Sequence, residues 1–249
     1  MTRLEARHLA NLQFAEVSRA LRALSSAYVE RRHTAIAAGR VLDTAGKRAA
    51  FALYYGPLHF VATSQVLAAL DVSRDERAPS PRSVLDLGCG TGAVGAAVAA
   101  WTGARRVHGV DVHPWAIDEA RATYASFGLD AMVTRASVAH VHRPRAPAFI
   151  VAGYVANELP DRERESLLRV LLDAVGHGSD LLVIEPLSGR AAPWWPEWVE
   201  AFTPSGARAD TWNLTLEPPE LTRRLGRAAG LTPTSAKLRT IAVLEGLRS

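Results

Sequence analysis

The chain has 249 residues, of which 48% are hydrophobic and 22% charged, and it carries a formal charge of +4. That length can bury one large core with a modest extension, and no apolar stretch approaches the ~20 residues that a membrane span needs. Only Lys47 and Lys237 are lysine, so the basic balance is arginine, scattered in short pairs such as Arg31-Arg32 and Arg223-Arg224 rather than in the blocks that mark a nucleic-acid arm.

Abundant arginine and alanine suit a GC-rich bacterial genome. The lone cysteine, Cys89, forms no internal disulfide and fits a reducing cytoplasm. The first residues carry an early acid and no compact apolar stretch, so no secretory signal is read there. A cytoplasmic protein is expected.

Residues 1–76 show no strand pattern. Phe14, Val17, Leu21, Leu24 and Tyr28 recur at steps of three and four, the stripe of an amphipathic helix. A second helix is predicted from about Ala45 to Tyr55. Gly56-Pro57 interrupts it, and Pro57 suits the first turn of a third helix ending near Leu70. Asp75–Pro81 reads as a polar, proline-bearing linker. The expected division is a helical extension over 1–76 and a ligand-binding domain over 77–249.

From Ser83 onward, apolar runs alternate with helical patterns, the order of an open parallel sheet. Strands are predicted at 83–88, 106–111, 131–136, 147–153, 180–185 and about 240–246. Helices are predicted at about 93–101, 114–127, 161–175 and 217–229, with Asp161 capping the third of these. The expected fold class is α/β: a Rossmann-like, doubly wound, mostly parallel sheet with a helical N-terminal extension. Such sheets bind ligands beyond the carboxyl ends of their strands, where strand order reverses. Gly88, Asp111, Ser137 and Gly153–Glu158 should surround that crevice.

The run Ser83-Val-Leu-Asp-Leu-Gly-Cys-Gly-Thr-Gly92 is the most informative in the chain. A strand ends in an acid, three glycines follow at alternate positions, and a helix opens near Ala93 with unpaired amides at its start. Nineteen residues past Gly92, the strand Arg106–Val110 ends in Asp111, placed to hold a ribose diol. This is the pattern of a nucleoside pocket. Gly90-Thr-Gly-Ala-Val-Gly95 also satisfies the GxGxxG dinucleotide pattern, which keeps a nicotinamide reading open. Asp86 weighs against it, since a carboxylate there crowds a pyrophosphate and suits a ligand with sulfonium and ammonium groups.

Val84-Leu-Asp-Leu-Gly-Cys-Gly-Thr-Gly92 followed by Gly109-Val-Asp-Val112 resembles the class I S-adenosylmethionine (SAM) methyltransferases, over roughly residues 80–190. The resemblance implies SAM as cofactor, its methionine part held by Asp86, Gly88, Cys89, Gly90 and Gly92, and its ribose by Asp111. Val112 would pack on adenine, with Ser137 and the backbone of Val138 at the adenine edge, where many relatives carry an acid and this chain does not. Residues after the fourth strand would face the methyl group and its acceptor. Tyr154 then stands beside the cofactor, Asn157 steers the acceptor's lone pair, and Glu158 accepts its proton. The plainer alternative is that Asn157 caps a turn and Glu158 pairs with an arginine.

Tyr154-Val-Ala-Asn-Glu-Leu-Pro160 with Leu182-Val-Ile-Glu-Pro186 is also similar to the mitoribosomal small-subunit assembly methyltransferase-like family and its bacterial relatives. Their cysteine-rich, metal-binding segments have no counterpart after Cys89. Tyr54-Tyr-Gly-Pro-Leu-His-Phe60 suggests an aromatic lid near the sulfonium, with Tyr55 or His59 as base or orienter, or else a helix–helix contact. Trp194-Trp-Pro-Glu-Trp198 reads as a substrate-side loop, stacking on a planar or cationic acceptor or anchoring itself. Glu185 ends the fifth strand near the same crevice. His140 and His142 have no third ligand nearby, so no metal is expected.

These readings make the chain a SAM-dependent methyltransferase acting at nitrogen or oxygen of a small molecule. The alternatives are an RNA or ribosome-assembly methyltransferase, an enzyme that consumes SAM without methyl transfer and releases methylthioadenosine, and a SAM-binding scaffold without turnover. No membrane partner is expected.

Overall fold

The computed structural model describes residues 2–30, 42–70, 83–187 and 192–244. Its helices and strands in chain order are α1 (Thr2–Leu9), α2 (Phe14–Glu30), α3 (Ala45–Ala50), α4 (Gly56–Ala69), β1 (Val84–Leu87), α5 (Ala93–Thr102), β2 (Arg106–Asp111), α6 (Pro114–Ser126), β3 (Asp130–Arg135), β4 (Phe149–Gly153), α7 (Asp161–Gly176), β5 (Asp180–Pro186), α8 (Trp195–Phe202), β6 (Arg208–Thr215), α9 (Glu220–Ala229) and β7 (Ser235–Val243). The chain divides into two compact units, Met1–Ala62 with Leu214–Ala236, and Thr63–Asn213 with Lys237–Ser249. The expected linker Asp75–Pro81 and the 76/77 boundary lie outside the described residues.

The first unit is helical and discontinuous in sequence. Val17, Leu21 and Leu24 of the α2 stripe are fully buried. Helix α9 lies against α2, where Arg22 Nη2 donates to the Ala228 carbonyl at 2.9 Å and the Arg224 guanidinium sits 5.1 Å from the Phe14 ring centre. Gly-Pro does not interrupt the second helix as expected. A π-helical turn at Phe51–Tyr55 carries α3 directly into α4. The wider turn is seen at Gly56, whose N–H donates five residues back to the Phe51 carbonyl. Buried Thr222 of α9 ties this segment down, its Oγ1 donating to the Leu53 carbonyl oxygen at 2.9 Å.

The second unit holds a seven-stranded sheet in the order β3-β2-β1-β4-β5-β7-β6. Strands β3, β2, β1, β4 and β5 are mutually parallel, and β7 runs antiparallel to β5. The central strands read as continuous apolar runs because helices cover both faces: β1 and β4 are buried throughout. The core gathers Leu87, Ile150, Leu167, Leu171, Val183, Trp198, Phe202 and Ile241. Strand order reverses between β1 and β4, so the crevice lies beyond their carboxyl ends.

Several boundaries differ from expectation. Strand β7 begins five residues early, at Ser235, and the expected residues 245 and 246 lie outside the described residues. Asp161 is the first residue of α7 rather than its cap; Pro160 holds the cap position, and the Asp161 carboxylate pairs with Arg164 Nη1 at 2.8 Å. Trp195–Trp198 opens helix α8 instead of forming a loop, with Trp194 and Trp198 buried.

Candidate active site

The glycine loop leaves β1 with Gly88, Gly90 and Gly92 at φ of 68°, 51° and 76°, a left-handed backbone that side chains disfavour. Gly88 also has no room for a side chain, since a Cβ there would collide with Val155. The loop is tied to β2 by Gly88 N and Cys89 N, which donate to the Val110 carbonyl at 2.9 and 3.0 Å.

Asp111, at the end of β2, organises the loop's open side. Its Oδ2 accepts from Gly90 N at 2.9 Å and its Oδ1 from His113 N at 2.8 Å. Each carboxylate oxygen retains capacity for a further donor such as a sugar hydroxyl. Val112 beside it is 60% exposed, an apolar side chain offered to solvent next to a diol-binding acid. Glycines without side chains, a half-buried carboxylate and an exposed valine together fit an adenosyl ligand.

Asp86 lies beneath the loop and is only 1% exposed. Its Oδ2 accepts from Gly95 N at 2.9 Å and from the Tyr124 hydroxyl at 2.7 Å. It braces the root of the loop rather than lining its open side. Burial pushes its carboxyl up to about 6, against the opposing effect of those two hydrogen bonds. A Cβ at Gly95 would collide with this carboxylate, so the third glycine of the apparent dinucleotide pattern is required by Asp86. Tyr124 of α6 had no motif to mark it; only its place with Ile117 and Ala120 on the buried helix face signals it. Cys89 is buried, and burial with the nearby Asp86 and Asp111 charges pushes its thiol well up, which suits a small filler.

At the end of β3, the Ser137 hydroxyl donates to Glu163 Oε2 at 2.9 Å and accepts from Ala139 N at 3.2 Å. Glu163 of α7 thus brings an acid to a position where the local sequence has none. Val138 is buried and starts a short helical turn, Val138–His140.

Beyond β4, Tyr154 is the one non-glycine with positive φ, 61°, among the described residues. Burial and the Glu185 charge push its phenol upward. The turn that follows is clamped from two sides. Glu185, fully buried at the end of β5, accepts Ala156 N and Asn157 N on Oε1 at 2.8 and 3.2 Å, and Asn157 Nδ2 on Oε2 at 2.6 Å. Arg164 takes the carbonyls, Nε to Ala156 at 3.0 Å and Nη2 to Leu159 at 2.6 Å. Trp194 Nε1 donates to Asn157 Oδ1 at 3.1 Å. Both ends of the Asn157 amide are therefore engaged by the protein. Glu158 is half-buried on the same turn, Ala156–Glu158. The sequence offered no signal for the Arg164 clamp.

Tyr55 and His59 belong to the first unit, where His59 lies 6.0 Å from Tyr55 and 6.3 Å from Phe51 between ring centres. Burial pushes the His59 imidazole down to about 3, which keeps it neutral near neutrality. The crevice residues described above all belong to the second unit. No His, Cys, Asp and Glu cluster fit for a metal occurs among the described residues, and no described helix is long and apolar enough to cross a membrane.

Residues 84–178 match the methyltransferase-domain family model. No protein of curated function matches the chain significantly. Similar solved structures include the methyltransferase domain of bacterial CtHen1, with 14% identity, a TM-score of 0.49, and coverage of 75% of this chain and 100% of that one. A TehB-like SAM-dependent methyltransferase from Corynebacterium glutamicum has 21% identity, a TM-score of 0.44, and coverage of 76% and 100%. The YcgJ protein from Bacillus subtilis has 14% identity, a TM-score of 0.48, and coverage of 73% and 96%. The family match favours the SAM reading of the glycine run over the nicotinamide one: residues 84–178 match a methyltransferase domain, whose methyl donor is S-adenosylmethionine.

Proposed function

We propose that the enzyme methylates a nitrogen or oxygen of a small molecule. The observation that carries this reading is how Arg164 and Arg135 at the crevice are engaged. Arg164 is bound to the turn's carbonyls and Asp161, and Arg135 donates to the Val112 carbonyl at 3.2 Å. They stabilise the protein's own backbone instead of forming the cationic track that a polynucleotide needs.

Bound SAM supplies a methyl carbon already activated by a cationic sulfur. The chain's residues therefore have to hold, align and exclude water. The glycine loop and Asp111 hold the methionine part and ribose, Val112 lies under adenine, and Ser137, Val138 and Glu163 stand at its edge. Asn157 is a positioning residue, because its amide is committed to Glu185 and Trp194. Glu158 takes the acceptor's proton.

Two measurements test the reading. Calorimetric titration with S-adenosylhomocysteine should give a dissociation constant about ten- to a hundred-fold weaker for Asp111→Ala, as loss of hydrogen bonds to a charged group implies; unchanged affinity refutes the ribose assignment. Mass spectrometry of SAM turnover with fractionated small-molecule extract should show S-adenosylhomocysteine only when an acceptor is present. Methylthioadenosine from SAM alone would replace methyl transfer with the non-methyl chemistry, and activity confined to RNA and falling steeply with salt would replace the small molecule.

A further inference from the structure

Beside the clamped turn the second unit holds a cation with unused hydrogen-bonding capacity. Arg239 of β7 stands directly opposite Glu185 in the antiparallel register with β5, so the two side chains leave the sheet on the same face. The Arg239 guanidinium carbon lies 4.4 Å from the Trp195 ring centre and 5.9 Å from that of Trp194. Its Nε and Nη2 are shielded from solvent and have no hydrogen-bond partner. The indoles hold the cation through their π faces without replacing the acceptors it would have in water.

Glu185 does not bond these nitrogens. Its Oε1 receives two backbone amides and its Oε2 the Asn157 side chain, so its charge reaches Arg239 only through space. A guanidinium drawn partly out of water without acceptors is unfavourable, and the group that removes this cost most directly is an oxyanion. Nη1 is the remaining nitrogen of this half-buried residue and the one an incoming group meets first.

The same geometry argues against a cationic acceptor. Arg164 lies 5.4 Å from the Trp194 ring centre, so Trp194 carries two guanidinium neighbours and Trp195 carries one. A second cation approaching these indoles would be repelled. Trp195 is only half-buried and leaves apolar surface for a planar body.

We infer that the acceptor is anionic: a small planar molecule whose carboxylate or phosphate pairs with Arg239 while its body lies along Trp195. This rests on the small-molecule reading above and supplies the chemical class that reading lacks. Arg239 is a specificity residue here, recognising the acceptor away from the atom that is methylated.

The test is calorimetric titration of the full chain, saturated with S-adenosylhomocysteine, with benzoate, phenyl phosphate, benzamide and benzamidinium. At least one oxyanion should bind ten-fold or more tightly than benzamide, and benzamidinium should be the weakest; which oxyanion wins separates carboxylate from phosphate. Arg239→Gln should lose that ten-fold advantage while its affinities for benzamide and S-adenosylhomocysteine stay within two-fold of the parent. The S-adenosylhomocysteine titration also reports that the variant is folded, and the ranking on the unaltered chain decides the matter even if it is not. Benzamidinium binding as tightly as benzoate, or an Arg239→Gln chain that keeps the oxyanion preference, overturns the inference and leaves the small-molecule reading standing. A chain that binds none of the four and methylates only RNA overturns both.

Discussion

Asn157 and Glu185 form a single unit: the Asn157 side chain donates to Glu185 Oε2 at 2.6 Å while its main-chain N–H donates to Oε1 at 3.2 Å. With Ala156 N also on Oε1, one buried carboxylate fixes the chain's direction out of β4.

Glu185→Ala should therefore strand three donors in the interior and lower stability by about 3 kcal/mol, measured by urea denaturation. Asn157→Ala removes one donor and the acceptor of Trp194 Nε1, and it should cost about 1–2 kcal/mol. In both variants S-adenosylhomocysteine affinity should change less than stability, since the glycine loop and Asp111 are untouched. A loss of affinity matching the Asp111→Ala variant would contradict the separation of these two halves of the crevice.

Asp86 makes stability pH-dependent in an unusual direction. Its folded-state pKa, about 6, lies above its unfolded value of 3.8. Between these values the folded chain binds the proton that the unfolded chain has lost, so this group's contribution rises as pH falls from above 6 toward 3.8. The ionised carboxylate costs about 3 kcal/mol above that window. Relative to Asp86→Asn, the parent protein should gain stability as pH is lowered from 7.5 to 4.5. A difference in unfolding free energy that stays flat with pH refutes the assignment.

Thr222→Val should destabilise the protein by about 1–2 kcal/mol, because it removes the buried bond from the Thr222 hydroxyl to the Leu53 carbonyl. Thr222→Ser keeps the hydroxyl and should recover most of that loss in urea denaturation; a serine variant as unstable as the valine one would show that the bond contributes nothing.

Tyr154 holds a left-handed backbone that costs an ordinary residue about 1 kcal/mol or more. Tyr154→Ala and Tyr154→Gly both remove the ring, but only alanine keeps the Cβ that causes the strain. The glycine variant should be the more stable by about 1 kcal/mol; a more stable alanine variant would show that the strain lies elsewhere.

The parts legible in the sequence were those encoded locally. The three alternate glycines, Asp86 before them and Asp111 after the next strand are fixed by spacing alone, and the central strands carry continuous apolar runs. Strand β6, Arg208–Thr215, leaves no apolar run in the sequence, because its residues are exposed or half-buried and include Asp210, Thr211 and Asn213. Tyr124, Arg164 and Glu163 act across the fold, on partners 38, 8 and 26 residues away, and no period or motif links such pairs. Glu185 was visible as an acid at a strand end, but its three donors were not. In sequence the Trp194–Trp198 run reads as an aromatic loop, since nothing local shows that Trp198 enters the core.

The bond between Thr222 and the Leu53 carbonyl joins positions 169 residues apart. A ribosome adding 5–20 residues per second takes on the order of ten seconds to make that intervening stretch. During translation the nascent α2–α4 segment must therefore wait, its apolar stripe exposed, until α9 emerges. The birth of this protein thus has a vulnerable interval, and chaperone dependence should concentrate there.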